Sequence, residues 1–212
     1  MFGWLKSKKK EEPAAKVLPE ISGLALGYTV QIDPLLGKIQ PEGSLFELED
    51  ATMVLEGHGI ADMGDGTFIH RFYGETVNFI QFMVQNGAAE GDDAILFFTK
   101  HVFHPGSEND WNEHLDRMKQ VSYKLRSGET FDRFWFDDSE KAEDPVQFLE
   151  TVWTSGERHV GRDCQQICMM FRRELEDGSP ELLLVNAEID DRGDRSVSLL
   201  VGVPLSTAQY SV

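Results

Sequence analysis

Histidine and cysteine are the residues of this chain best suited to metal binding or nucleophilic chemistry, and the sequence holds six and two of them. The two histidines closest in sequence are His101 and His104. Residues 94–103 have the composition of a strand, in which residues three apart point to opposite faces. Two such imidazoles cannot ligate one ion, so we predict no metal here, only one partly buried and one exposed histidine at a strand end.

The two cysteines, Cys164 and Cys168, depend on the secondary structure around them. On a helix the two thiols would be neighbours one turn apart. On a strand they would lie about 13 Å apart, too far for a shared metal or a disulfide. We favour the strand and predict two buried, inert thiols.

Two acidic clusters are candidate cation sites, one at Asp137, Asp138 and Glu140 and one at Asp190 and Asp191. Neither has the ligand spacing with a central glycine that a helix–loop–helix calcium site needs, so we predict solvated loops. The sequence also contains no phosphate-binding glycine loop, nucleophile elbow or zinc-protease helix. We therefore assign no catalytic residue, no metal ligand and no cofactor, and the prediction leans away from an enzyme.

An aromatic stretch at residues 131–136 combines four aromatic side chains with Asp132 and Arg133. As a strand it would place Phe134 and Phe136 on one side and Trp135 on the other, which could form a surface for stacking a ligand. Two-sided core packing is the more common outcome, and we favour it, with Arg133 paired to a carboxylate.

The N-terminal segment carries apolar residues followed by a run of lysines. The residues that we predict to bind a membrane or a partner are Phe2, Trp4, Leu5, Lys6, Lys8, Lys9 and Lys10. A helix here would present Met1, Trp4 and Leu5 as an apolar edge, which suits weak docking on an anionic membrane surface or into the groove of a partner. A plain disordered tail is the alternative.

The charge of the chain is unevenly distributed. Its net charge is −17, residues 1–16 contribute +3, and residues 17–212 therefore carry −20. Such a body repels phosphate backbones, so we predict no nucleic-acid binding. The longest apolar runs are too short to cross a bilayer, no secretory signal is present, and two cysteines exclude a disulfide framework. We expect a cytoplasmic protein that can lie peripherally at the inner face of the membrane.

The sequence predicts two domains of unequal kind: a flexible basic amphipathic tail at residues 1–16 and a single acidic β-rich α+β domain at residues 17–212. Residues 52–61 and 67–73 alternate around Gly64-Asp65-Gly66 and predict a β-hairpin. Residues 77–84 and 94–103 are apolar on both faces and predict central strands. Residues 28–32 predict a further short strand.

Helix signals are fewer. Asp110 with Glu113 matches a capping box ahead of Trp111, Leu115 and Met118, and predicts one amphipathic helix. Asp144-Pro145 predicts the start of a second helix through Trp153. Residues 162–175 fit either a helix or a strand; we favour a hairpin across the turn at residues 177–180, followed by a third strand. The fold class is therefore α+β, a mostly antiparallel sheet with one or two short helices and a C-terminal β-meander.

The chain resembles an uncharacterised bacterial family typified by YjfK. The resemblance lies mainly in the second half of the body, at residues 133–135, 145–150, 169–173 and 181–185. The family offers no catalytic residue to carry over. It implies that members are encoded near membrane-stress proteins of the phage-shock type, so a membrane-stress protein becomes a candidate partner.

These observations favour a non-catalytic binding or accessory module, membrane-proximal through its tail. The alternative is an enzyme of unknown class whose cleft uses some of His58, His70 and His101 with Asp or Glu side chains, which predicts at least two histidines and a carboxylate converging in one pocket. A structural subunit of an oligomer is a third reading, and predicts a large apolar patch.

Overall fold

A computed structural model describes residues 16–48, 50–75 and 78–212. Within these ranges the chain forms strands connected by short turns, with two α-helices and one 3-10 turn. In chain order the elements are β1 Thr29–Ile32, α1 Leu35–Lys38, β2 Thr52–Val54, β3 Gly57–Asp62, β4 Thr67–Tyr73, β5 Phe79–Gln85, β6 Asp92–Phe103, α2 Glu108–Met118, β7 Ser122–Lys124, β8 Thr130–Arg133, β9 Val146–Thr154, β10 Arg162–Glu174, β11 Pro180–Ile189, β12 Arg195–Pro204, the 3-10 turn Thr207–Gln209 and β13 Tyr210–Ser211.

Eight of these strands form an antiparallel sheet that closes on itself. Their order is β11-β12-β6-β5-β4-β3-β9-β10, and β10 pairs again with β11, so the sheet is a barrel, called the closed sheet below. The mostly antiparallel sheet and the C-terminal meander β10-β11-β12 were predicted correctly. The closure was not predicted: it makes the fold more barrel-like than the expected open α+β sheet.

Much of the closed sheet is buried on both faces, because a large part of its outer face is covered as well. The inner face carries a smaller cluster that includes Phe79, Phe97 and Leu184. The outer face carries the larger core. In it, residues such as Phe82 and Val201 belong to one cluster with apolar side chains of residues 21–36, α2 and the β7–β8 hairpin. Two-sided burial explains why β5 and β6 are apolar on both faces, as predicted for central strands.

A small second sheet, ordered β13-β1-β2, lies in this outer layer. It contributes Val30 and Ile32 to the larger core. The predicted hairpin is present as β3 and β4, with Gly64 and Gly66 at φ values of +90° and +88° in the turn. Residues 52–54, which were predicted to belong to that hairpin, instead leave it as β2 and pair with β1.

The predicted helix at residues 144–153 is wrong. Residues 146–154 form β9, which pairs with β3 on one side and β10 on the other. The helical face expected for Val146, Leu149 and Trp153 does not exist: Leu149 is 56% exposed, while Trp153 is buried. Asp144-Pro145 favours a helix start only through local backbone preference. The hydrogen bonds to two neighbouring strands outweigh that preference.

The other helix is present, but it starts earlier than the capping box implied. Ser107 is its N-cap, and the Asp110 amide donates to Ser107 Oγ at 3.1 Å. Residues 162–174 form strand β10, which pairs with β11. The predicted hairpin is therefore confirmed, and the alternative helix is not formed. No helix within the described ranges is long and apolar enough to cross a membrane.

Candidate functional site

The inner face of the closed sheet holds a buried ion pair at its centre. Arg71 on β4 and Glu150 on β9 are each 1% exposed, and Arg71 Nη1 lies 3.2 Å from Glu150 Oε2. Arg71 Nε donates to Gln81 Oε1 at 3.0 Å, and the Tyr73 hydroxyl donates to Glu150 Oε1 at 2.8 Å. A buried cation and anion are tolerable only when their remaining hydrogen-bonding groups are also satisfied, and this cluster meets that condition.

Strand geometry and one glycine bring these groups together. Strand β3 lies between β4 and β9, and its residue Gly59 is paired with Arg71 on one side and Val152 on the other. A Cβ atom at Gly59 would lie 1.7 Å from Glu150 Oε1. Because position 59 has no side chain, Arg71 and Glu150 can meet across the intervening strand.

Electrostatics keep Arg71 charged and the Tyr73 hydroxyl protonated, whereas burial raises the pKa of Glu150 against the opposing effect of Arg71. Burial alone disfavours the charged form of Arg71, but the Glu150 carboxylate outweighs it and holds the pKa of Arg71 above its usual value. Burial raises the pKa of Tyr73 well above its usual value. Tyr73 therefore keeps its proton and donates it in the hydrogen bond to Glu150.

A polar chain continues from this cluster toward one end of the closed sheet. Arg71 Nη2 lies 3.8 Å from Cys168 Sγ, and that thiol lies 2.7 Å from Asn186 Oδ1. Asn186 Nδ2 donates to Glu188 Oε1 at 2.8 Å, and Ser196 Oγ lies 3.4 Å from Glu188 Oε2. Glu188 is thus a half-buried carboxylate at the outer limit of the polar interior.

At that end the inner face leaves a cavity of about 240 Å³, called the end cavity below. Inner-face residues of six strands line it: Tyr73, Phe79, Val152, Cys164, Gln166, Asn186, Glu188, Ser198 and Leu200. Gln166 is only 1% exposed, and its Oε1 atom has no hydrogen-bond partner within the part of the chain that the structure describes. Most buried polar side-chain atoms have a hydrogen-bond partner, and this acceptor is an exception among the described residues.

Both cysteines are free thiols, as predicted, and they lie along this polar chain. Burial, followed by the negative charge of Glu188, raises the pKa of Cys164 to about 12. Burial also raises the pKa of Cys168 to about 11. Cys168 is fully buried, whereas Cys164 is only partly buried, which departs from the prediction. Neither thiol forms the thiolate that nucleophilic or metal chemistry requires near neutral pH.

A pair of histidines lies on the opposite, outer face. His58 Nε2 and His70 Nδ1 are 2.9 Å apart, and the His58 ring stacks on Phe72 at 4.2 Å between ring centroids. Burial first, and then the neighbouring imidazole and Lys16, lower the pKa of His58 to about 3. Burial lowers the pKa of His70 to about 4.

The histidines do not form the cleft that the enzyme hypothesis requires. His58 and His70 converge, but the buried carboxylate Glu150 lies on the inner face of the sheet, and His101 is exposed on β6 beside Phe103. His104 is exposed too, although either His101 or His104 was predicted to be partly buried. Among the described residues, no group of three His, Cys, Asp or Glu side chains could hold a metal ion.

The two-sided core packing predicted for the aromatic stretch is wrong, because only one side of the stretch is buried. Phe131 and Arg133 are buried while Phe134 and Phe136 are largely exposed. Arg133 pairs with no carboxylate in the described structure. Its guanidinium donates instead to four backbone carbonyls, those of Lys119, Phe136, Ser139 and Lys141. Arg133 therefore fixes the loop between β8 and β9 through the donor fork of its side chain.

The acidic clusters and the tail residues are the other positions that the sequence singled out. Both acidic clusters, at residues 137–140 and 190–191, lie in exposed loops. The tail residues Phe2, Trp4, Leu5, Lys6, Lys8, Lys9 and Lys10 lie outside the described residues.

Sequence reasoning missed the polar interior. Arg71 and Glu150 are the single Arg and Glu charges of their strands, and each lies at a position that alternation directs inward. A lone charge at an inward position is the signal that was available, because such a charge requires a partner.

Comparison with known proteins agrees with the sequence resemblance. A curated relative, "Uncharacterized protein YjfK" of Escherichia coli (strain K12), is 26% identical over 196 residues, which cover 87% of this chain and 88% of the relative. No solved structure matches the chain. The model of the family "Protein of unknown function (DUF2491)" matches residues 1–211. The chain therefore belongs to the DUF2491 family.

Proposed function

We propose that this protein is a non-catalytic binding module that holds a small polar ligand in the end cavity. The observation that carries the proposal is Gln166, which lines the cavity and whose Oε1 atom is a buried acceptor without a partner among the described residues. Leaving such an atom unpaired costs about 1–3 kcal/mol. A bound ligand with a donor group would recover that free energy.

The chemistry of the lining supports binding more than catalysis. The thiol nearest the cavity, Cys164, has a pKa of about 12 and stays protonated. The Tyr73 hydroxyl and the Asn186 amide already donate to carboxylates. These two donors are therefore committed to fixed hydrogen bonds, as in a site that orients a ligand without transferring protons.

A cavity-filling variant tests this proposal. Val152 lines the cavity near its mouth and is half-buried, so Val152→Phe should occupy the ligand's space while the sheet still folds. Leu149→Phe on the same strand is the matched control, because Leu149 points outward. A library of small cationic, neutral and anionic metabolites would be screened by ligand-observed NMR against the wild type and both variants.

We expect at least one saturable ligand whose affinity falls tenfold or more in Val152→Phe and is unchanged in Leu149→Phe. Equal binding to both variants would place the ligand elsewhere. A library without any ligand sensitive to Val152→Phe would contradict the proposal, provided that circular dichroism shows the variant to be folded.

A second proposed role concerns the basic tail, and the position of Lys16 favours it. The Lys16 amide donates to the Arg158 carbonyl in the β9–β10 turn at 3.2 Å, and Lys16 Nζ lies 3.8 Å from the Trp153 ring centroid. Lys16, the last residue of the tail, therefore lies at the same end of the closed sheet as the cavity. We propose that the tail docks the module on an anionic membrane or on a membrane-proximal partner.

Deletion of residues 1–12 tests this second role. The full chain should sediment with vesicles that contain about one third anionic lipid. The truncated chain should stay in the supernatant, since the remaining body is strongly acidic. Neutral phosphatidylcholine vesicles are the control. Equal sedimentation of the full and truncated chains would rule out the tail as the attachment.

A further inference from the structure

We propose that the ligand of the end cavity is a small organic cation, an ammonium or guanidinium compound of no more than roughly ten heavy atoms. This inference rests on the proposed binding function and adds the chemical class of the ligand. Four features of the cavity support it: its charge, its hydrogen-bonding groups, its aromatic rings and its size.

The charge of the inner face is unbalanced at the cavity. Arg71 is paired with Glu150, which leaves Glu188 as a further carboxylate, and Glu188 forms no ion pair with any residue that the structure describes. None of the nine lining residues is a lysine or an arginine. A cation placed here would meet a carboxylate in a partly desolvated site, where opposite charges attract more strongly than in water.

The hydrogen-bonding groups of the lining call for a donor. Gln166 Oε1 has no partner, and the carboxylate of Glu188 accepts only. Two of the lining donors are already used, because the Tyr73 hydroxyl donates to Glu150 and the Asn186 amide donates to Glu188. An ammonium group carries three donors and no acceptor, so it complements the acceptors Gln166 Oε1 and Glu188 better than a carboxylate does.

Two aromatic rings complete the lining. The Tyr73 and Phe79 rings lie 5.2 Å apart between centroids at an interplanar angle of 59°. Aromatic faces attract cations, and the effect increases when the cation is desolvated. The raised pKa of Cys164, which follows from burial and then from Glu188, Glu150 and Asp190, agrees with a negative potential in the cavity.

Size separates an organic cation from other ligands. The cavity volume of about 240 Å³ lies below the roughly 300–1,000 Å³ of sites for drug-sized ligands. The cavity is also larger than one bare metal ion. Within the described part of the chain, no group of three His, Cys, Asp or Glu side chains could hold a metal ion. A compact organic cation with a short apolar portion against Val152 and Leu200 fits both limits.

The test uses matched cationic and neutral probes with the full chain. Methylguanidinium is compared with the neutral isostere N-methylurea, putrescine with 1,4-butanediol, and ethanolamine with ethylene glycol. Dissociation constants are measured by NMR titration for the wild type, Glu188→Gln and Gln166→Leu. The controls are Glu174→Gln and Gln165→Leu, because Glu174 and Gln165 are exposed on β10.

We expect at least one cation to bind ten times or more tightly than its neutral isostere. Glu188→Gln should weaken it at least tenfold, Gln166→Leu should weaken it several-fold, and both controls should bind as the wild type does. Equal binding of cation and isostere, or unchanged affinity in Glu188→Gln, overturns the cation assignment. If none of the cations binds, the assignment also fails.

These outcomes are distinct from failure of the proposed function. A neutral or anionic metabolite that binds the wild type and loses affinity in Val152→Phe would keep the end cavity as a ligand site with a different ligand class. Calcium or magnesium binding that depends on Glu188 would likewise overturn the organic cation and keep the cavity.

Discussion

Gly59 decides whether the buried ion pair can form. It occupies the strand between Arg71 and Glu150, and its lack of a Cβ atom makes room for the carboxylate. The requirement is steric and involves a single atom. A position of this kind cannot tolerate even the smallest side chain.

Gly59→Ala should therefore destabilise the protein strongly. The new methyl group would displace Glu150 from Arg71 and Tyr73, and breaking a buried ion pair costs about 3–5 kcal/mol. Urea denaturation would measure the free energy of unfolding. Gly156→Ala is the control, since a Cβ there meets nothing within 4 Å, and it should change stability by less than about 0.5 kcal/mol. A loss in Gly59→Ala no greater than in the control would show that the carboxylate has room to move.

The histidine pair predicts acid sensitivity. The pKa values of His58 and His70, about 3 and about 4, lie below the value of about 6.5 in the unfolded chain. The folded protein then binds fewer protons than the unfolded chain, so stability is complete above pH of about 6.5 and decreases as the pH falls toward 4. The pair therefore lowers the free energy of unfolding progressively across this pH interval.

His58→Gln should flatten the dependence of unfolding free energy on pH between about 6.5 and about 4, because one titrating group is removed. Exposed His104 supplies the matched control, and His104→Gln should leave the slope unchanged. An identical slope in all three proteins would mean that other groups cause the acid sensitivity.

At the scale of elements, Glu181 joins the outer layer to the closed sheet. It lies at the start of β11 and is fully buried. Its Oε1 accepts from the amides of Leu45 and Phe46 at 2.6 and 3.2 Å and from the Ser44 hydroxyl at 2.7 Å. Its Oε2 accepts from Arg173 Nε at 2.8 Å. One carboxylate thus fixes the segment that leads from α1 to β2.

Glu181→Gln should loosen that segment before the rest of the fold. The amide cannot accept from all of these donors, and loss of hydrogen bonds to a charged group costs about 1.5–3 kcal/mol. Hydrogen exchange should show lower protection at Leu45 and Phe46 than in the wild type. Exposed Glu176→Gln serves as the control. Unchanged protection at both amides would show that apolar packing alone holds the segment.

At the scale of the whole molecule, a strongly acidic chain is folded around two cores. Its net charge of −17 lies mainly on the exposed surface, with clusters such as residues 137–140. Like charges at this density repel one another and oppose compaction, and salt screens that repulsion.

Stability should therefore increase with ionic strength. Raising NaCl from about 0.02 M to about 0.5 M at pH 7 should increase the free energy of unfolding by about 1 kcal/mol, because the Debye length shortens from tens of ångströms to a few. A triple variant, Asp137→Asn, Asp138→Asn and Glu140→Gln, should show a smaller increase. Stability that falls with salt would show that favourable ion pairs outweigh the repulsion.

Local sequence patterns determined most strands and turns. The Gly-Asp-Gly turn between β3 and β4, and the turn ahead of Pro180, act through backbone preferences of a few adjacent residues. The same local reasoning failed at residues 146–154, where helix-start signals coincide with a strand whose partners, β3 and β10, come from distant parts of the chain.

The closure of the sheet and the end cavity were decided only by tertiary structure. Pairing of β3 with β9 and of β6 with β12 joins segments separated by long stretches of chain, and no local pattern specifies which distant edges meet. Arg71 and Glu150 are 79 residues apart, so their contact exists only after closure. The sequence by itself determined that β5 and β6 would be central strands and that the body would be acidic. Only the closed sheet determined that two lone charges become a pair, and that Glu188 and Gln166 face the same cavity.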